Sequence, residues 1–187
     1  MGRWLWLGMA LWVAACAGAG AARREPAQPL TSAQARLFDD GVDLIADPEA
    51  LQGEWRDDWE REVEQRLEQA DVVVVGRVRA VSTDVDLQRR VSFRVALDVE
   101  RVVRGDEVPG ELSLVSLEGA IGYPSLERQR ERILQRELVA FVRRAGGDAG
   151  ERLHFHLSAP SPALTRHLDA HDAAAKSDTI EVIEHTR

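Results

Sequence analysis

"ADVVVVGRVRAV", residues 70–81, is the stretch on which the fold turns. Four consecutive valines make a run too short for a buried helix, and β-branched side chains suit the pleated surface of a strand. Gly76 interrupts the run and marks a bulge or bend. The next segment, "RVSFRVALDVERVV" (residues 90–103), alternates: Val91, Phe93, Val95, Leu97 and Val99 fall on one face, and Ser92, Arg94, Asp98 and Glu100 on the other. The phase slips at Val102-Val103, which predicts a second bulge. "RGDEVPG" (104–110) is a turn; its Arg104-Gly105-Asp106 matches an integrin-binding tripeptide, too short a match to carry weight.

Downstream, "ELSLVSL" (111–117) reads as a third strand. Pro124 and Ser125 then open "LERQRERILQREL" (126–138), whose alternating charges predict a solvent-facing helix. "LVAFVRR" (138–144) and "RLHFHLS" (152–158) follow as fourth and fifth strands, joined by a hairpin at "AGGDAG" (145–150). Ser161-Pro162 starts a short helix to about residue 174, and residues 175–187 stay unassigned. Three strands, a helix and two strands form the order of an OB-fold barrel, whose closure removes exposed edges. The expected fold is therefore mainly β with flanking helices: a five-stranded OB-like barrel over residues 71–174.

Upstream, residues 31–70 are expected to form a helical extension. Asp47-Pro48 supplies an N-cap with proline at the first helical position. Leu51, Trp55, Trp59, Val63 and Leu67 then recur every four residues, an apolar stripe that predicts a core-facing helix. Trp55 and Trp59 are also candidates for a docking face.

The chain begins with Arg3, an uncharged apolar run from Trp4 to Ala15, and then its single cysteine, Cys16. Such a run is too short for a bilayer core, which needs about 20 residues, and has the pattern of a signal peptide over residues 1–15. Residues 16–30 lack apolar periodicity and read as a tether. Val13-Ala14-Ala15-Cys16 resembles the lipobox of bacterial lipoproteins, and that resemblance implies cleavage before Cys16 and a covalent lipid on its thiol. Cleavage downstream, at Ala17-Gly18-Ala19, is the competing reading. By the same resemblance, Ala17 after the cysteine favours the outer membrane.

Removing residues 1–15, whose only charge is Arg3, leaves 172 residues at a net charge of −9. That is one domain's length, and an acidic surface excludes nucleic acid as a partner. Trp55, Trp59, Tyr123 and four phenylalanines are too few for a stacking platform. The segments "ADVVVVGRV", "VERVVRGD" and "LVAFVRR" with the closing strand and helix resemble the netrin-like domain, the family of the tissue inhibitors of metalloproteinases. The resemblance spans residues 70 to about 172 and implies an OB barrel with flanking helices. Protease inhibition does not carry over: the family's inhibitors use an N-terminal cysteine held by disulfides, and here Cys16 stands alone and far from the first strand.

For chemistry, His154, His156, His167 and His171 fall within eighteen residues, beside Asp169 and Asp172. His154 and His156 alternate with Leu153, Phe155 and Leu157 and so point away from the apolar face. His167 and His171 have the i,i+4 spacing that can share a metal, but they share a helix face with Leu164 and Leu168, and no His-Glu-x-x-His motif is present. No Gly-x-Ser-x-Gly elbow or phosphate-binding glycine loop occurs. Asp57-Asp58 reads as solvated surface, and Arg77, Arg79 and Arg94 as salt-bridged surface beside Asp98 and Glu100. The expectation is a lipid-anchored envelope protein that binds a protein or ligand at the membrane surface, with no catalytic residue and no cofactor beyond the lipid on Cys16. The alternatives are a metal-binding protein or metal-dependent enzyme built on the four histidines, and a structural lipoprotein assisting an envelope complex.

Overall fold

The computed structural model describes residues 28–106, 108–147 and 150–184. The signal segment, Cys16 and most of the tether lie outside the described residues. The element order is α1 (Ser32–Leu37), β1 (Gly41–Asp43), a 3₁₀ turn (Pro48–Ala50), α2 (Glu54–Gln69), β2 (Val72–Val85), β3 (Val91–Arg104), β4 (Glu111–Leu117), α3 (Tyr123–Ile133), β5 (Glu137–Gly147), β6 (Gly150–Ser158) and α4 (Pro162–Glu184). The strands form one open mixed sheet in the order β1-β6-β5-β2-β3-β4.

The five expected strands are present as β2 to β6, with a helix between the third and fourth. Four expectations change. There is a sixth strand, β1, inside the region read as purely helical, and the sheet does not close, because no ladder joins β4 to β6. β1 is only three residues long and pairs in parallel with His156–Ser158, so it offers no alternation to read. Asp47-Pro48 caps the 3₁₀ turn rather than α2, which starts after Gly53, and α4 continues ten residues beyond the expected end.

The valine run is explained by burial on both faces of β2. Val72, Val74 and Val78 join Phe93, Val95, Leu97, Leu112, Leu114, Leu138, Phe155 and Leu157 under α3, which adds Leu126 and Ile133. Val73 and Val75 face the other way, with Val139 and Phe141, into a second layer built from Leu37 and Phe38 and from α2 and α4. β2 and β5 thus lie between two apolar layers, which is why their sequences lack the alternation of β3.

Both predicted irregularities are present. Register shifts occur in the β2–β3 ladder between Val73 and Val74, where Val103 is skipped, and between Val75 and Gly76. A Cβ on Gly76 would lie 2.5 Å from the Asp98 carbonyl oxygen, so only glycine permits this approach. Gly76→Ala is expected to cost about 1–3 kcal/mol, through backbone displacement. Equilibrium urea unfolding would check it, and a loss below about 0.5 kcal/mol, the scale of ordinary surface changes, would contradict it.

α2 is fastened at its C-terminus by two arginines from the sheet. Arg104 Nη1 donates to the carbonyls of Leu67 and Glu68, and Arg143 Nη1 to that of Gln69 at 2.7 Å and to Asp71 Oδ1 at 3.0 Å. Cations at the last carbonyls satisfy orphan acceptors and complement the helix dipole. The Arg104-Gly105-Asp106 stretch is therefore occupied in part by a structural cap.

Candidate functional site

Between α1 and β1 the chain reads Phe38-Asp39-Asp40-Gly41, and these two carboxylates organise a polar cluster at the edge of the sheet. Asp40 takes a left-handed conformation (φ 59°), a region that aspartate tolerates better than most residues. The turn lets its backbone N–H donate to the Phe155 carbonyl at 2.8 Å, while its Oδ1 accepts the Phe155 N–H at 3.1 Å. Asp40 Oδ2 then receives Arg152 Nη2 at 2.6 Å and lies 3.3 Å from His154 Nδ1. The same Arg152 Nη2 reaches the Val115 carbonyl at 3.2 Å, so one side chain bridges the unpaired edges of β4 and β6.

His156 sits deeper, between two carboxylates. Its Nδ1 is 2.8 Å from Asp39 Oδ1, and its Nε2 is 2.9 Å from Asp43 Oδ2. Only the imidazolium can donate to both. Ser158 Oγ also donates to Asp43 Oδ2 at 2.8 Å, and the Ile45 N–H to Asp43 Oδ1 at 3.2 Å. Burial opposes the charge on His156, as does nearby Arg66, yet the hydrogen bonds to Asp39 and Asp43 outweigh both and raise its pKa above 6.5. For Asp43, burial acts upward and is outweighed by the bond and charge of His156, so its pKa falls below 3.8. Arg66, itself buried, donates from Nε to the Leu37 carbonyl and pairs with Glu62.

This clasp fixes β1 to β6. On its other side β1 meets the start of α3: the Gly122 N–H donates to the Asp39 carbonyl at 2.7 Å, and the Val42 N–H to Ser125 Oγ at 3.0 Å. A Cβ on Gly41 would stand 2.7 Å from the Gly122 Cα, so both glycines are needed for the crossing.

Above the clasp a cleft of about 460 Å³ opens at the β4–β6 seam. Asp39, Asp40, Arg152 and His154 line one side, and Leu117 to Ile121 form the opposite rim. Leu30, Ala35 and Phe38 complete the lining, and Ile121 is 62% exposed.

The four histidines are divided between different surroundings. His154 and His156 do point away from the first apolar layer, but that face is itself covered, and His156 is buried. His167 packs edge-on against Trp59, with ring centroids 6.1 Å apart, and His171 Nδ1 is buried without a hydrogen-bond partner among the described residues. Among the described residues no group of three or more His, Cys, Asp or Glu side chains is placed to hold a metal ion. The tryptophans also separate: Trp59 is buried in the second layer, whereas Trp55 is 77% exposed. A four-residue repeat drifts by about 40° per step on a helix of 3.6 residues per turn, so Trp55, in the first turn of α2, is carried off the buried face, while Leu51, which precedes the helix, still packs against the second layer.

Arg77 pairs with Glu100 at 3.0 Å, Arg79 with Asp98 and Glu111, and Arg94 with Asp84, so these cations are surface ion pairs as expected. Asp58 is paired with Arg61. No helix among the described residues is long and apolar enough to cross a membrane. The residues that sequence reasoning passed over are Asp39, Asp40, Asp43, Arg66, Glu118, Arg152 and Ser158. The one local cue was Asp39-Asp40-Gly41, a turn signal inside a segment read as helical. No known protein family matches the chain, and no curated protein is significantly similar to it.

Proposed function

We propose that this chain is a lipid-anchored envelope protein whose described domain is a non-catalytic binding module, an OB-like barrel with one unpaired seam. The observation that carries the reading is the cleft at that seam, about 460 Å³ with a mixed apolar and charged lining. Cavities of this size, largely apolar with a few convergent polar groups, are the usual form of a ligand site. The barrel description is supported by the strand order, since β4 is one edge and the part of β6 before His156, which β1 does not cover, is the stretch that closure would join to it, and by Arg152 spanning between them. The binding reading is favoured by the state of the polar groups: Asp40 is engaged by Arg152 and the Phe155 N–H, and Asp43 by His156 and Ser158, as in a structural network.

The anchor is supported by the apolar run before Cys16. The Gln28 carbonyl accepts the Gly146 N–H at 3.0 Å, and Leu30 already lines the cleft. Eleven residues lie between Cys16 and Gln28, a reach of at most about 40 Å when extended. On this reading the cleft works close to the bilayer.

Fractionation of cells expressing the tagged full-length protein tests both parts. Cys16→Ala is expected to move the protein from the membrane pellet to the soluble fraction. A photo-crosslinker at Ile121 should capture a discrete envelope component in the anchored form. Retention of Cys16→Ala in the pellet would overturn the anchor, and a crosslinking pattern no different from that of a probe at Leu134 would overturn the cleft as the binding surface.

A further inference from the structure

Resting on that binding reading, we propose that the cleft takes a ligand with an ammonium group on an aliphatic body, such as an amine or the N-terminal residue of a peptide. The argument is an account of which charges in the lining remain unspent. Arg152 and Asp40 neutralise each other at 2.6 Å, and Arg152 Nη2 is further engaged by the Val115 carbonyl. Asp40 is closed on its other oxygen by the Phe155 N–H. Asp39 shares the one charge of His156 with Asp43, and it takes both His156 and the Gly41 N–H on Oδ1. Glu118 accepts the Val91 N–H on Oε2 and has no cationic partner among the described residues.

The unmet capacity is thus acceptor capacity: Asp39 Oδ2 and Glu118 Oε1 make no hydrogen bond among the described residues, and the surplus negative charge is that of Glu118 together with the charge left over where Asp39 and Asp43 share the one His156 cation. An ammonium supplies three donors and the opposite charge, whereas a carboxylate would add like charge to the rim. Leu30, Leu117 and Ile121 line the same cleft and suit a branched aliphatic body. The chain's net charge of −8 adds a long-range field that favours cations.

The test is an NMR titration of the full-length protein with three probes that share one body. Leucinamide carries the ammonium, N-acetyl-leucinamide replaces it with a neutral amide, and isovalerate carries a carboxylate. Leucinamide is expected to shift the amides of Gly119, Ala120 and Ile121 saturably, with affinity about tenfold above the neutral probe, the scale of one charge-assisted hydrogen bond. Glu118→Gln keeps an acceptor for Val91 and should weaken leucinamide alone by about tenfold. Ile121→Ser should weaken leucinamide and the neutral probe equally.

If N-acetyl-leucinamide or isovalerate binds as tightly as leucinamide, or Glu118→Gln changes nothing, the ammonium assignment fails while the cleft remains a binding site. If none of the three shifts the rim amides, the cleft reading fails with it.

Discussion

His156→Leu is expected to destabilise the fold by about 3–5 kcal/mol, the range for breaking a buried charge pair by removing one partner. Leucine fills much of the ring's space but leaves Asp39 and Asp43 facing each other without the donors that reconcile them. Urea unfolding followed by tryptophan fluorescence would measure the loss, with Trp59 as a buried reporter in the neighbouring layer. A loss below about 1 kcal/mol, the scale of an exposed pair, would show that the clasp contributes little.

The pH dependence follows from the same residues. The pKa of His156 is raised in the folded protein, so its contribution is complete below the unfolded value near 6.5 and is lost as pH rises through the higher folded value. The pKa of Asp43 is depressed, so its contribution is complete above 3.8 and is lost as pH falls through the lower folded value. The clasp therefore contributes fully between about pH 4 and 6.5. The wild-type protein should lose stability above that window, and His156→Leu should lack that alkaline limb.

Phe141→Ala is expected to cost about 3–5 kcal/mol. Phe141 is fully buried in the α2–α4 layer, while its neighbours Ala140 and Val142 on β5 belong to the layer beneath α3. Because β5 carries both layers, the two should fail together. Trp59 fluorescence and far-ultraviolet circular dichroism are expected to report one coincident transition at lower urea. Separate transitions would mean that the layers unfold independently.

What was legible in the sequence was whatever has a local period. β3 and β4 alternate and are read correctly, and Gly76 and Val102-Val103 mark real irregularities in the ladder. The two-layer arrangement is legible only in hindsight, since an unbroken valine run is what a strand covered on both faces requires. β1 gave no signal because three residues cannot show a period. The clasp was invisible for a different reason: His156 meets Asp39 and Asp43 across 117 and 113 residues, a relation set by topology alone. The spacing of His167 and His171 is truly helical, yet the helix sets His167 against Trp59.

The parallel pairing of β1 with β6 also bears on how the domain carries mechanical load. A pull on the chain ahead of Gln28 reaches β1 from its N-terminal end, after the Gln28–Gly146 bond and α1. Transmitted along the strand axis, it would load the Gly41, Val42 and Asp43 rungs together with both His156 contacts. Bonds loaded in shear resist in concert, whereas bonds at a peeled edge fail one at a time. A three-residue strand so placed can act as a strain relief, keeping tension on the chain from reaching the long β2–β3 pair that bears the core.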